Sequence, residues 1–176
     1  MKAACIIATF SLLCLIVGCS RQAQPTQTAA PQNNQAQPQS QPSLAKSDRG
    51  TPAEAKAMLQ QAVDHYNSVG RKQALADFNG KKPPFADRDL YVVCIGSDFR
   101  IIANGGFPQY VGQSADLLKD AAGKPVGKAI WETANKGEGS VQFRWINPVS
   151  GKTEPKIFFS QKVGDDVCGV GAYNPQ

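Results

Sequence analysis

The sequence has few of the side chains on which hydrolytic enzymes and zinc proteins depend. Its 176 residues include one histidine, His65, and five cysteines, three of which fall within the first 19 positions. A serine or cysteine nucleophile usually needs a histidine beside it, and structural zinc needs clustered cysteine and histidine ligands. Because neither arrangement has the residues it requires, we expect no enzyme, no metal and no cofactor.

A concentrated positive patch is also missing. The chain carries 19 lysines and arginines against 14 acidic residues, a net charge of +5, but the cations are scattered rather than gathered into a block. Proteins that bind the phosphate backbone concentrate lysine and arginine on one face or in one run. We therefore expect no nucleic-acid partner.

Only one long apolar run is present, over residues 3–17, and it follows the positive start Met1-Lys2. This run has the length of a signal-peptide core and is too short to span a membrane. It ends at Ile16-Val17-Gly18-Cys19, which resembles the bacterial lipobox, in which the cysteine is lipidated and becomes the first residue of the mature protein. Ordinary secretory cleavage nearby is the alternative. The pattern predicts a lipoprotein signal peptide over residues 1–18 and a lipid anchor at Cys19, which would hold the protein on a membrane.

The residues after Cys19 predict a spacer and a location. Ser20, rather than aspartate, follows the cysteine, which favours the periplasmic side of the outer membrane in a Gram-negative cell. Residues 20–50 include eight glutamines and four prolines and almost no large apolar side chain. Such a segment cannot bury enough surface to offset the entropy of ordering it. We therefore interpret residues 19–50 as a lipid anchor with a disordered linker, and residues 51–176 as one folded domain.

The domain begins with helical patterns and continues with strand patterns. Thr51-Pro52-Ala53-Glu54 is a capping box with proline at the first helical position, and apolar residues at helical spacing follow as far as Gly70. A second short helix ends at Asn79-Gly80. The remaining elements are predicted strands at 90–95 and 101–103, a long segment at 104–127, a helix at 129–135, a hairpin, and a last strand at 167–173. This order predicts an α+β fold with a five-stranded antiparallel sheet.

The hairpin, residues 140–160, carries the first candidate site. Its first strand alternates apolar Val141, Phe143 and Trp145 with polar residues, and its second strand is predicted to follow Pro155. Arg144 stands between aromatic residues, and Lys156 enters the returning strand. Cations beside aromatic rings suit a pocket for a small anion, although a solvated arginine and lysine on the outer face of the sheet would give the same pattern.

A family resemblance appears when the motifs are taken together. It is carried, in order, by Ala74–Asn79, Asp89–Val93, Ile101–Ala103, Val111-Gly112, Leu118–Lys124, Val141–Pro148, Glu154–Lys156 and Gly169–Tyr173. The series resembles the single Cache domain, a PAS-like extracytoplasmic sensor module of bacterial receptors. The resemblance implies N-terminal helices, a five-stranded antiparallel sheet, and a long helix-containing segment between the second and third strands. It also implies a pocket between that segment and the sheet, which in the family often takes short carboxylates.

Four residues fall on the pocket-forming positions of the family: Tyr91, Arg144, Trp145 and Lys156. The resemblance implies that the arginine and the lysine contact an anion, the tyrosine supplies a hydroxyl and the tryptophan an apolar wall. The sequence departs from the family at Phe143 and Phe159, where tyrosine is frequent, and at Asn104, where histidine is frequent. These departures predict a pocket with fewer polar groups than is usual in the family.

The resemblance also implies partners. Cache domains usually drive a signalling module, and no such module is recognisable between the last predicted strand and Gln176. We therefore expect a small-molecule ligand, possibly a carboxylate, that the lipid-anchored domain presents to a separate membrane receptor or transporter. Buffering or scavenging of a solute at the envelope fits the sequence equally well. The alternative is a structural or interaction lipoprotein of the envelope with a degenerate, non-binding Cache fold.

The two cysteines of the domain, Cys94 and Cys168, lie in the first and last predicted strands. In the sheet order that the resemblance implies, these strands are neighbours, so the two side chains would meet if register and face agree. An oxidising envelope favours a disulfide. Two buried free thiols that act as small apolar side chains are the alternative.

Overall fold

The computed structural model describes residues 47–137 and 139–175. Cys19, the signal peptide and most of the linker lie outside the described residues. The helices are α1 (Pro52–Val69), α2 (Arg71–Asn79) and α3 (Val126–Asn135), with two 3₁₀ turns at Pro108–Tyr110 and Ala115–Leu117. The strands are β1 (Ala86–Asp87), β2 (Leu90–Ile95), β3 (Ile101–Asn104), β4 (Gly139–Ile146), β5 (Thr153–Val163) and β6 (Asp166–Tyr173). The predicted α+β fold is confirmed.

The capping box predicted at the start of α1 is present. The Thr51 hydroxyl accepts from the backbone N–H of Glu54 at 3.2 Å, and the Glu54 carboxylate accepts from the backbone N–H of Thr51 at 2.8 Å. At its other end the helix stops at Gly70, whose φ of +81° disfavours residues with a Cβ. None of the helices in the described residues is long and apolar enough to cross a membrane.

The sheet is antiparallel, and five of its strands match the prediction. Strand β2 lies between β3 and β6, and β5 then links β6 to β4, which forms the other edge. The sixth strand, β1, has two residues and pairs with the beginning of β2. The long segment with its helix connects β3 to β4, as the family resemblance implies.

Strand β5 begins earlier than predicted, at Thr153 rather than after Pro155. The proline is tolerated because its nitrogen faces the side on which β6 has already ended, so no ladder donor is needed there. On that same side, the Pro155 carbonyl accepts from the backbone N–H of Asn174 at 2.7 Å. The returning arm of the hairpin is therefore continuous over eleven residues.

The two faces of the sheet bury two separate apolar clusters. Helices α1 and α2 cover one face, where Val92, Cys94 and Val170 belong to the core. Helix α3 and the β3–β4 segment cover the other face, together with Tyr91, Phe158 and further side chains. Because successive residues of a strand point to opposite faces, each strand contributes alternately to the two clusters.

Candidate ligand-binding site

A small cavity lies on the face of the sheet that α3 and the β3–β4 segment cover. Its volume is about 30 Å³. Strands, helix and segment all contribute to its wall, which consists of Tyr91, Val93, Asn104, Leu118, Val126, Ile130, Phe143, Trp145, Lys156 and Phe158. Lys156 carries the only charged side chain among these described wall residues.

Lys156 projects from the first half of β5 and is 3 % exposed. Its Nζ donates to the hydroxyls of Tyr91 at 2.8 Å and Tyr173 at 3.1 Å, and lies 4.2–4.3 Å from the centroids of both rings. The stem of the lysine crosses Gly171 on the neighbouring strand β6. A Cβ added at Gly171 would lie 2.1 Å from Lys156 Cε, so the missing side chain makes room for the lysine.

The hydroxyl protons at this site can be assigned from the bonds that surround them. Tyr173 donates its one proton to the carbonyl of Ile146 at 2.7 Å, so it can only accept from Lys156 and from Tyr91, whose hydroxyl lies 3.0 Å away. The Tyr91 proton is thus shared with Tyr173 or available to a ligand. A charged Lys156 has a third proton, which is not used by either tyrosine. The cavity therefore presents donors and no charged acceptor.

Burial changes the protonation of the whole cluster. Desolvation lowers the pKa of Lys156 from 10.5 to about 7, and the nearby Asp89 carboxylate acts in the opposite direction. Desolvation also raises the pKa values of Tyr91 and Tyr173, so both phenols stay protonated at neutral pH. Near pH 7 the lysine is thus poised between its neutral and charged forms.

Lys156 makes no salt bridge with any described carboxylate, and Asp89 is occupied elsewhere. The Asp89 side chain is fully buried and accepts from the backbone N–H of Gly50 at 2.7 Å and from Asn147 Nδ2 at 3.0 Å. Buried lysines are normally paired because an uncompensated charge away from water is costly. An anion that enters the cavity would supply the missing charge.

The structure brings together three of the four residues that the family resemblance selects. Tyr91, Trp145 and Lys156 line the cavity. Arg144 does not: it is exposed, lies outside the cavity wall, and donates from Nη2 to the carbonyl of Thr153 at 2.9 Å. Adjacent residues of a strand point to opposite faces, so the Arg144 side chain does not project from the face of β4 that bounds this cavity.

Two further residues shape the site. Tyr173 was missed, although it stands directly opposite Lys156 in the β5–β6 register. Asn104, treated above as a departure from the family, is 3 % exposed and lines the cavity. Its Oδ1 accepts from the backbone N–H groups of Gly106 at 3.2 Å and Phe107 at 2.8 Å, and these bonds hold the start of the covering segment. Its Nδ2 has no hydrogen-bond partner among the described residues.

A disulfide joins the two cysteines of the domain. Cys94 and Cys168 are paired directly across β2 and β6, and both side chains belong to the cluster on the α1 side of the sheet. The bond lies at the centre of the sheet and on the face opposite Lys156. It therefore fixes two strands of the site without contacting the covering segment.

Comparison with known proteins places this geometry in a family. Residues 43–173 match the model of Single Cache domain 2. Solved structures with the same fold include a methyl-accepting chemotaxis protein from Vibrio parahaemolyticus (21 % identity, TM-score 0.60, covering 69 % of this chain and 86 % of that one) and a periplasmic sensor domain of a chemotaxis protein (23 %, 0.59, 69 % and 94 %). A third is a Cache chemosensory domain described as recognising carboxylic acids (21 %, 0.51, 69 % and 87 %). No curated protein sequence gave a significant match.

The fold is that of a PAS-like sensor module, in which a sheet and a covering segment enclose a cavity. The family match extends over most of the chain and all the elements that build the cavity. The chain belongs to the single Cache domain 2 family, whose members are ligand-binding sensor domains.

Proposed function

We propose that this protein is an envelope-anchored receptor domain that binds a small organic acid through Lys156 and presents it to a separate membrane receptor or transporter. The observation that carries the proposal is a buried lysine without an acidic partner in an otherwise uncharged cavity. We propose a role in binding because the cavity wall offers hydrogen-bond donors and aromatic surface around this lysine.

A carboxylate would use the donors that the cavity leaves free. The third proton of Lys156, the hydroxyl of Tyr91 and the amide of Asn104 all belong to side chains of the cavity wall, and bonds from a cation to a carboxylate are among the stronger hydrogen bonds. Phe143 and Trp145 would contact the apolar part of the ligand. The solved Cache domain that is described as recognising carboxylic acids supports this ligand class.

The small volume of the cavity supports a second candidate function, a structural role without a ligand. About 30 Å³ holds roughly one or two waters, so an organic acid enters only if the covering segment moves outward. A domain that never opened would be a structural or interaction lipoprotein with a closed Cache fold. Ligand binding is favoured over this alternative because Lys156 is buried without a salt bridge to any described carboxylate, and a bound anion would compensate its charge.

The test is calorimetry and thermal unfolding of the protein purified from the cell envelope, with formate, acetate, propionate, pyruvate and succinate at pH 6.5. We expect at least one acid to raise the melting temperature, since a ligand that binds only the folded state stabilises it. Lys156→Met should abolish this shift without destabilising the empty protein, because it removes a buried charge and keeps an apolar stem. Lys162→Met, at an exposed position of the same strand, is the matched control. No shift with any acid, or an unchanged shift in Lys156→Met, would exclude the proposed site.

The anchor is tested separately. Cys19→Ala should move the protein from the membrane fraction to the soluble fraction and remove an acyl adduct from its N-terminal peptide in mass spectrometry. The same fractionation and the same peptide mass in both proteins would argue for ordinary secretory cleavage.

A further inference from the structure

We infer that Arg144 belongs to a second, outer site for carboxylates, where the acid is held before it reaches Lys156. This inference rests on the proposed function and adds a residue and a step to it. It concerns a separate cavity at the outer edge of β4, with a volume of about 240 Å³.

The outer cavity lies between β4 and the covering segment. Lys124 Nζ donates to the carbonyl of Gln142 at 3.1 Å, which holds the segment against the open edge of the strand. Arg144 and Lys119 bring two positive charges to the cavity, and Tyr110 and Trp145 bring aromatic surface. Residues of these types, at this size of cavity, suit a small anion with an apolar part.

The charged side chains of the outer cavity differ in how many of their polar atoms are already hydrogen-bonded. Arg144 uses Nη2 for the carbonyl of Thr153, at 2.9 Å, and its other N–H groups have no hydrogen-bond partner among the described residues. The one acidic residue of the wall, Asp120, accepts from the backbone N–H groups of Ala122 and Lys124, both at 2.9 Å. Both bonds go to Oδ1 and stabilise a turn. Lys119, Asp120 and Arg144 together leave the wall a net charge of +1, and the guanidinium keeps N–H groups for an anion.

The two cavities share a wall. Trp145 lines both, and its ring centroid lies 6.3 Å from that of Tyr110, which lies 6.2 Å from Phe107. Phe107 in turn packs edge-on against Tyr91 at 5.9 Å, and the Tyr91 hydroxyl bonds to Lys156. A continuous row of aromatic rings thus leads from the outer cavity to the buried lysine. The large outer cavity accommodates a carboxylate as it stands, whereas the inner one must expand.

This arrangement has a kinetic consequence. The outer cations raise the local concentration of the acid, and the Trp145–Tyr110 contact must open before the acid reaches Lys156. Removing an outer cation should lower the association rate constant more than it raises the dissociation rate constant. The effect should depend on ionic strength, since the screening length is about 30 Å at 0.01 M salt and about 3 Å at 1 M.

Stopped-flow tryptophan fluorescence with the acid that binds wild-type protein provides the first test. Arg144→Gln should lower the association rate constant about threefold or more at ~10 mM ionic strength, and the difference should disappear near 1 M salt. Arg144→Lys should retain most of the wild-type rate, and Lys162→Gln, which removes a charge from the far end of β5, should retain all of it. Equal association rates for Arg144→Gln and Lys162→Gln would overturn the outer site and leave the proposed function intact.

A second measurement isolates the outer site from the inner one. In Lys156→Met, millimolar propionate should still shift the NMR signals of the Trp145 indole N–H and the Arg144 Nε–H, and adding Arg144→Gln should remove the indole shift. Shifts that are absent in Lys156→Met overturn the outer site even when wild-type protein binds. If no acid of the panel affects either protein, the outer site and the proposed function both fail.

Discussion

The pH dependence of ligand affinity tests the site most directly. Only the charged form of Lys156 can neutralise a carboxylate, and its pKa in the empty cavity is about 7. Affinity should therefore be constant below this value and fall by up to tenfold for each pH unit above it. From pH 6 the expected loss is about tenfold at pH 8 and about a hundredfold at pH 9.

The stability of the empty protein should change with pH in the opposite direction. In the unfolded chain Lys156 regains its ordinary pKa of 10.5, whereas in the folded protein burial lowers it to about 7. Between these values the unfolded state binds more protons than the folded state, so the free energy of unfolding contributed by this group rises with pH. Below pH 7 both states are charged and the contribution is constant.

Calorimetric titrations at pH 6, 7, 8 and 9, each in two buffers of different ionisation enthalpy, measure the affinity and the protons taken up together. Binding at pH 8 should take up nearly one proton. Lys156→Met should show no binding at the inner cavity and no proton uptake, and its unfolding should lack the rise in stability with pH. An affinity that stays constant from pH 6 to 9, with no proton uptake, would refute the assignment of Lys156 as the anion-binding group.

The remaining predictions concern packing, covalent structure and capping. Gly171→Ala should abolish ligand binding and destabilise the fold by about 1–3 kcal/mol, because its Cβ would meet the lysine stem at 2.1 Å. In a Lys156→Ala background, the same substitution should cost less free energy of unfolding. An equal cost in both backgrounds would exclude the steric reason. The Cys94–Cys168 bond, with a sequence separation of 74, should contribute up to about 4.5 kcal/mol, measured by urea denaturation with and without reductant; two free thiols in freshly exported protein would contradict it. Thr51→Ala should cost about 1 kcal/mol through the lost cap and leave ligand affinity unchanged, whereas Thr51→Ser should cost little.

Much of the fold could be predicted because its signals are local. The capping box at Thr51 and the alternation of β4 involve residues a few positions apart, and both are present in the structure. The alternation of side chains along a strand also decides which residues can line the inner cavity. Arg144 and Trp145 are neighbours in a strand whose alternation was recognised, so strand geometry alone places them on different faces. The family resemblance selected both residues; in the structure Trp145 lines the inner and the outer cavity, whereas Arg144 lines the outer one.

The rest of the site depends on pairings between distant parts of the chain. Tyr173 becomes part of it through the β5–β6 register, and the register is set by side-chain burial along whole strands rather than by any short motif. Asn104 acquires its role from two backbone N–H groups of a segment whose path the sequence pattern left open. Gly171 could be recognised as a glycine in a strand, but the reason that a side chain is excluded there, the approach of Lys156 Cε and Phe158 Cδ2, is seen only in the structure.

The hairpin turn after β4 connects this site with the start of the domain. Tyr173, which accepts from Lys156, donates to the carbonyl of Ile146, the last residue of β4. The next residue, Asn147, is 1 % exposed and donates from Nδ2 to Asp89 at 3.0 Å and to Glu154 at 3.2 Å. The turn is thus held on one side by the phenol of the ligand site and on the other by two carboxylates.

Those two carboxylates also hold the residues at which the predicted linker ends. Asp89 accepts from the backbone N–H of Gly50, and Glu154 accepts from both terminal nitrogens of the Arg49 guanidinium, which lowers the pKa of this carboxyl group. Residues 49 and 50, assigned to the linker from composition, are therefore packed against the sheet, and the family match begins earlier still, at residue 43. Since Asn147 donates to both carboxylates, residues 49 and 50 lie two hydrogen bonds from the peptide that the Tyr173 phenol contacts. A movement of this turn would therefore act on the packing of residues 49 and 50 against the sheet.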